Sequence, residues 1–109
     1  MPGDVTVQDG IVTAVGSSPA GPHGLAVPGF VDVQVNGFAG VDVLSARGGD
    51  YATMGRALAA TGVTAYQPTL ITAAPETQEQ ALREIAAAGD RPGGGPRLLG
   101  AHLEGPFLS

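Results

Sequence analysis

Three apolar, β-branched runs, separated by two stretches with helical periodicity, constrain this chain more than any other feature of its 109 residues. The runs are Val27 to Val35, Val63 to Thr72 and Leu98 to Leu103. The first opens on Pro28-Gly29 and continues as Phe30, Val31, Val33 and Val35, the pattern of a strand buried on both faces. A Gly-rich stretch, Gly37 to Gly49, leads to a helix from Tyr51 to about Thr61. Asp50 serves as its cap, Met54 and Leu58 share one face, and Gly62 stops it. The second run reads as a buried strand broken by Pro68. Pro75 then sits in the first turn of a second helix. That helix turns Ala81, Leu82, Ile85 and Ala86 inward, faces Glu76, Glu79 and Glu84 to water, and ends at Gly89. After a Pro/Gly loop from Asp90 to Arg97 comes the third strand. Buried strands alternating with amphipathic helices imply an α/β fold with a parallel sheet and right-handed crossovers. Two architectures fit, a doubly wound sheet and a (β/α)8 barrel. No GxGxxG or Walker motif follows the first strand, so the phosphate cradle of a nucleotide fold is missing. A barrel takes about 250 residues, and this chain supplies less than half of one.

Ahead of the first run, Asp4 to Val15 alternates loosely around Asp9-Gly10, the strongest short-range signal for a β-hairpin. Ser17 to Gly24, which includes His23, reads as a surface loop. The charged share is 14%, low against the usual 25% or so. Two explanations stand side by side: a surface meant to be covered, or a composition without lysine and crowded with Ala and Gly. The net charge of −5, with neither a basic stripe nor an aromatic platform, argues against nucleic acid and anionic membranes as partners. The absence of cysteine removes disulfides, thiolate metal sites and a cysteine nucleophile. No secretory h-region and no membrane-length apolar run is present, so a cytoplasmic protein is expected.

In parallel α/β folds, chemistry collects at the C-terminal ends of the strands, and three polar clusters fall there. Asp32, Gln34 and Asn36 alternate along the first strand and so share a face. Gln67-Pro68-Thr69, with Thr72, lies at the end of the second. His102 and Glu104, again two apart, close the third. Glu104 stands where an apolar strand meets a Gly-Pro turn. A buried carboxylate there requires a cation or a partner, whereas a solvated turn residue requires neither, and local chemistry alone leaves both readings open. His102 taken singly reads as a hydrogen-bonded core histidine more readily than as a ligand.

Four segments together resemble the N-acetylglucosamine-6-phosphate deacetylases, a family of the amidohydrolase superfamily. They are Pro28-Gly29-Phe30-Val31-Asp32-Val33-Gln34-Val35-Asn36-Gly37, Thr61-Gly62-Val63-Thr64, Pro68-Thr69-Leu70-Ile71-Thr72, and Gly100-Ala101-His102-Leu103-Glu104-Gly105-Pro106-Phe107. They occur in the family's order and spacing. The resemblance implies the N-terminal part of a (β/α)8 metal-dependent hydrolase barrel over residues 28–109. Residues 1–27 would form a hairpin belonging to a small β-sandwich. It implies hydrolysis of the N-acetyl group of an amino-sugar 6-phosphate to acetate and the free amine, by a homodimer when full length. Glu104 corresponds to a metal ligand of the family; Gln34, Asn36, Asp32 and His102 would line the site, with Asp32 buttressing the strand end by hydrogen bonds. The remaining ligands, the general base and the phosphate-binding groups would lie beyond residue 109, so the fragment alone is expected to be inactive.

Many superfamily members carry His-x-His where this chain has Gln34 and Asn36, and one subgroup of the deacetylases shares the Gln-x-Asn. The substitution weighs against the runner-up, an amidohydrolase acting on a cyclic amide or a base. An inactive truncated module is the reading outside enzymes, and the open apolar strand edges of a half-barrel weigh against it. Neutral amides bind Zn²⁺ or Fe²⁺ weakly beside imidazole. The expected content is therefore about one divalent ion, Zn or Fe, per full-length subunit. The double change Gln34→His with Asn36→His should raise it toward two. Elemental analysis after exhaustive dialysis measures this, and two equivalents in the unaltered protein would overturn the single-metal expectation.

Overall fold

In a computed structural model of the protein, residues 3–16 and 24–107 are described; His23 lies outside them. The order is a hairpin, then strand–helix–strand–helix–strand. Strands β1 (Asp4–Gln8) and β2 (Ile11–Gly16) pair antiparallel. Their turn has positive φ at both Asp9 and Gly10, the backbone that suits the right-handed twist of a two-residue hairpin. Every residue of the hairpin is exposed, its valines and Ile11 included.

Strand β3 (Phe30–Val35) leads into a small ribbon of β4 (Gly37–Phe38) and β5 (Val41–Asp42), turned at Ala39 and Gly40. The sequence reading left this Gly-rich stretch without structure. Helix α1 (Asp50–Ala60) follows, then β6 (Val63–Leu70), α2 (Pro75–Ala88), and two short strands, β7 (Arg97–Leu98) and β8 (His102–Leu103). Strand β6 is central: β3 runs parallel to it on one side, β7 and β8 parallel on the other.

Helix α1 buries Tyr51, Met54, Gly55 and Leu58, the i, i+3, i+4, i+7 stripe of an amphipathic helix. Helix α2 buries Ala81 and Ile85, one turn apart. Both lie against the face of β6 that carries Tyr66 and Leu70, and with Val35, Val43, Ala46, Val63 and Leu98 they form one core. Helix α1 stops where the Gly62 N–H donates to Ala59 O and the Thr61 hydroxyl to Leu58 O. Gly62 has φ +90, a backbone that a side chain would strain.

Several local expectations are corrected. Asp50 is the first residue of α1 and not its cap; its carboxylate instead accepts a hydrogen bond from the Arg47 N–H. Pro68 does not break β6. The β3–β6 register slips between Asp32 and Val35, and a proline fits where the ladder needs no N–H. Strand β3 is not buried on both faces: Val35 is buried, but Phe30, Val31 and Val33 are exposed, because β6 is its sole neighbour among the described residues. The third strand is split by Leu99 to Ala101, with Gly100 at φ +101, and Leu99 and Leu103 are exposed. On α2, Ala86 is exposed. Glu84 is partly buried, accepts from the Gly48 N–H and the Gln80 amide, and lies 3.8 Å from Arg47. It ties α2 to the entry of α1.

The hydroxyls of Tyr51 and Tyr66 are buried without a hydrogen-bond partner among the described residues. Burial, reinforced by the nearby Glu84 carboxylate, pushes the Tyr51 phenol up to about 12, and burial raises Tyr66 as well. An unfolded chain ionises tyrosine near pH 10 or so. Stability should therefore be flat with respect to these groups below pH 10 and fall as pH rises from there through about 12, since the unfolded state releases the protons first. Urea midpoints across that range, compared with those of a Tyr51→Phe variant, measure the effect. The variant should lose much of the alkaline slope.

Candidate functional site at the strand ends

Parallel pairing decides which residues meet. Val35 pairs with Pro68, Thr69 with His102, and Leu70 with Leu103. The three strands therefore finish at the same end of the sheet, and all three polar clusters of the sequence collect there.

The second and third clusters are joined by hydrogen bonds. The Gln67 side-chain amide donates to Ala101 O at 3.3 Å. The Thr69 hydroxyl lies 3.2 Å from His102 Nδ1. The Glu104 N–H donates to Leu70 O at 2.9 Å, and the Thr72 hydroxyl donates to Glu104 O at 3.0 Å. Four bonds thus hold residues 101–104 against β6. Gly105 continues this close approach: it has φ +107, and a Cβ there would collide with the Thr72 hydroxyl. A larger residue would push Glu104 away from the strand that anchors it.

Glu104 is partly buried, and the bonds just described hold it by its backbone N–H and carbonyl. His102 is partly buried and hydrogen-bonded through one ring nitrogen. On β3, Asp32 is partly buried and its Oδ1 accepts from the Gln34 N–H at 3.1 Å, while Gln34 and Asn36 are exposed. Thr69 and Thr72 stood in the sequence reading as a separate cluster. Their bonds to His102 and Glu104 depend on strand register across 33 and 32 residues, which composition and periodicity do not encode.

A catalytic divalent ion takes about three protein donors. Among the described residues no group of three or more His, Cys, Asp or Glu side chains is placed to hold a metal. These residues do not by themselves fit such a centre; Glu104 is a single anionic donor. The apolar groove between α2 and β7, lined by Leu82, Ile85, Leu98 and Leu99 among others, lacks convergent polar groups and is not the site.

No family model matches the chain. It is 43% identical over 88 residues to the N-acetylglucosamine-6-phosphate deacetylase of Mus musculus, across 78% of this chain and 21% of the mouse protein. It is 38% identical over 91 residues to that of Vibrio furnissii, across 84% of this chain and 23% of the relative. An N-acetylgalactosamine-6-phosphate deacetylase of Escherichia coli O157:H7 is 33% identical over 107 residues, 94% of this chain and 28% of that protein. The solved structure of N-acetylglucosamine-6-phosphate deacetylase from Thermotoga maritima matches with a TM-score of 0.80 at 30% identity, covering 96% of this chain and 28% of that one. The chain thus spans between a fifth and a third of the length of these relatives. Over the segment shared with them, it is a homologue of the N-acetylglucosamine-6-phosphate deacetylases.

Proposed function

We propose that the full-length protein hydrolyses the N-acetyl group of N-acetylglucosamine 6-phosphate, releasing acetate and glucosamine 6-phosphate. One observation carries this: the segment held against β6, His102-Leu103-Glu104-Gly105-Pro106, lies within a chain 38–43% identical to deacetylases from mouse and Vibrio furnissii. In this reading residues 28–109 are the first three strands of a (β/α)8 barrel, and residues 1–27 supply a hairpin to a small β-sandwich. The parallel order with β6 central and the exposed faces of β3 and of the hairpin support it, since both surfaces call for further strands. The same reading makes the protein a cytoplasmic homodimer acting on a small molecule, without nucleic acid or membrane as partner. Among the described residues no helix is long and apolar enough to cross a membrane.

Amide hydrolysis needs an activated water and a proton for the departing amine. Glu104 would give one donor to a divalent ion, Zn or Fe, completed by residues outside these 109; when bound, such an ion supplies Lewis-acid activation. The part this chain plays is positional. The backbone of Glu104 is fixed from both sides, by Leu70 O and by the Thr72 hydroxyl, so its carboxylate meets an incoming group with little reorganisation. Asp32 stiffens the end of β3 through the Gln34 N–H.

Incubation of the full-length protein with N-acetylglucosamine 6-phosphate and, separately, with its galacto epimer tests the function. Release of free amine should be faster with the gluco sugar, and turnover of neither would overturn the reading. The similarity to an N-acetylgalactosamine-6-phosphate deacetylase makes the epimer the informative control. Glu104→Gln keeps size but removes the anionic donor, so metal content and turnover should fall together, turnover by at least the roughly 10–100-fold that losing a residue which merely supports a ligand costs. Full metal occupancy with lost turnover would instead make Glu104 a proton-transfer group.

A further inference from the structure

Two phenols end inside the helix-covered core, away from the strand-end cluster. Tyr51, in the first turn of α1, and Tyr66, midway along β6, are each 0% exposed. Neither hydroxyl has a hydrogen-bond partner among the described residues. A buried hydroxyl without a partner loses its hydration and gains nothing in return. The two groups are also neighbours. Burial and the Glu84 carboxylate raise the Tyr51 phenol most, and Tyr66 is close enough to add to them.

Gly55 stands beside them, on the buried face of α1 and one turn on from Tyr51. A Cβ placed there would lie 4.0 Å from the Tyr66 hydroxyl and 3.6 Å from Pro96 Cδ, with nothing nearer. Those are ordinary contact distances, so a methyl group would fit. Gly55 does not need a glycine backbone either, since its φ is not positive. Within a helix glycine is less favourable than alanine, and neither sterics nor conformation asks for it here. A small space against an unpartnered hydroxyl suits a polar occupant. An internal water takes roughly two to four polar partners, and each phenol can either donate to it or accept from it.

We propose that one buried water sits beside Gly55 and bridges the Tyr51 and Tyr66 hydroxyls, tying α1 to β6 through the core. The space that Gly55 leaves open holds the water, and the two phenols fix it.

The test uses the full-length protein. A crystal structure that shows ordered solvent should place one water about 2.5–3.0 Å from each hydroxyl. Thermal midpoints at a fixed scan rate should fall for Tyr51→Phe and for Tyr66→Phe. The double variant should fall by less than the two losses added, since either change breaks the same bridge. Gly55→Ala separates the space from the phenols. In the unaltered protein its methyl displaces the water, and the midpoint should not rise. In the Tyr51→Phe, Tyr66→Phe background no water is held, and the same change should raise it, as alanine does within a helix. A crystal structure with no water between the hydroxyls, or with the hydroxyls bonded directly to each other, overturns the proposal. Midpoints unchanged or raised by each single Phe also overturn it, because removing an orphaned hydroxyl relieves its desolvation. Additive losses would put the two phenols on separate partners, and an equal gain from Gly55→Ala in both backgrounds would leave the space dry; either result sinks the bridge.

Discussion

The parallel pairing of β6 with β3 on one side and with β7 and β8 on the other is the constraint on which the rest of the structure depends. One face of that strand carries Tyr66 and Leu70 into the helix-covered core. Thr69 on the other face contacts His102, and Gln67 reaches across to Ala101. A shift of one residue in the β6–β8 register would exchange these faces. It would direct the Thr69 hydroxyl into the apolar core and Leu70 toward the strand-end cluster. The buried stripes of α1 and α2 specify the register from one side, and the hydrogen bonds to residues 101–104 specify it from the other.

Much of this was legible in the sequence because it rests on local rules. The Asp9-Gly10 turn, the Pro75 start, the stops at Gly62 and Gly89, and the order of strands and helices each follow from backbone preference or hydrophobic period. The departures have other causes. Glu84 and Pro68 differ from expectation because of a partner 36 residues away in the chain and a register slip, and Asp50 because its carboxylate turns back to the Arg47 N–H. The exposure of Phe30, Val31 and Val33 reflects the number of neighbours a strand has, which the strand's own composition does not state.

The candidate site divides along the same line. That Asp32, Gln34, Asn36, His102 and Glu104 belong at strand ends could be read from where apolar runs stop. That Thr69 meets His102 and Thr72 meets Glu104 could not, since each bond joins residues more than thirty positions apart.

The way Glu104 is fastened has an evolutionary consequence. Its backbone is held by Leu70 and Thr72, residues of another strand and its exit, and not by the segment that follows it. The place of the carboxylate is thus inherited from β6. The loop leaving Gly105 can drift in length and composition, the usual route by which loops diverge on a shared scaffold, while the Glu104 carboxylate stays where it was. Gly105 itself is the exception, because any side chain there would meet Thr72. Variation in such a lineage would therefore begin only past that residue, with the fixed carboxylate on one side of a single glycine and the freedom to change on the other.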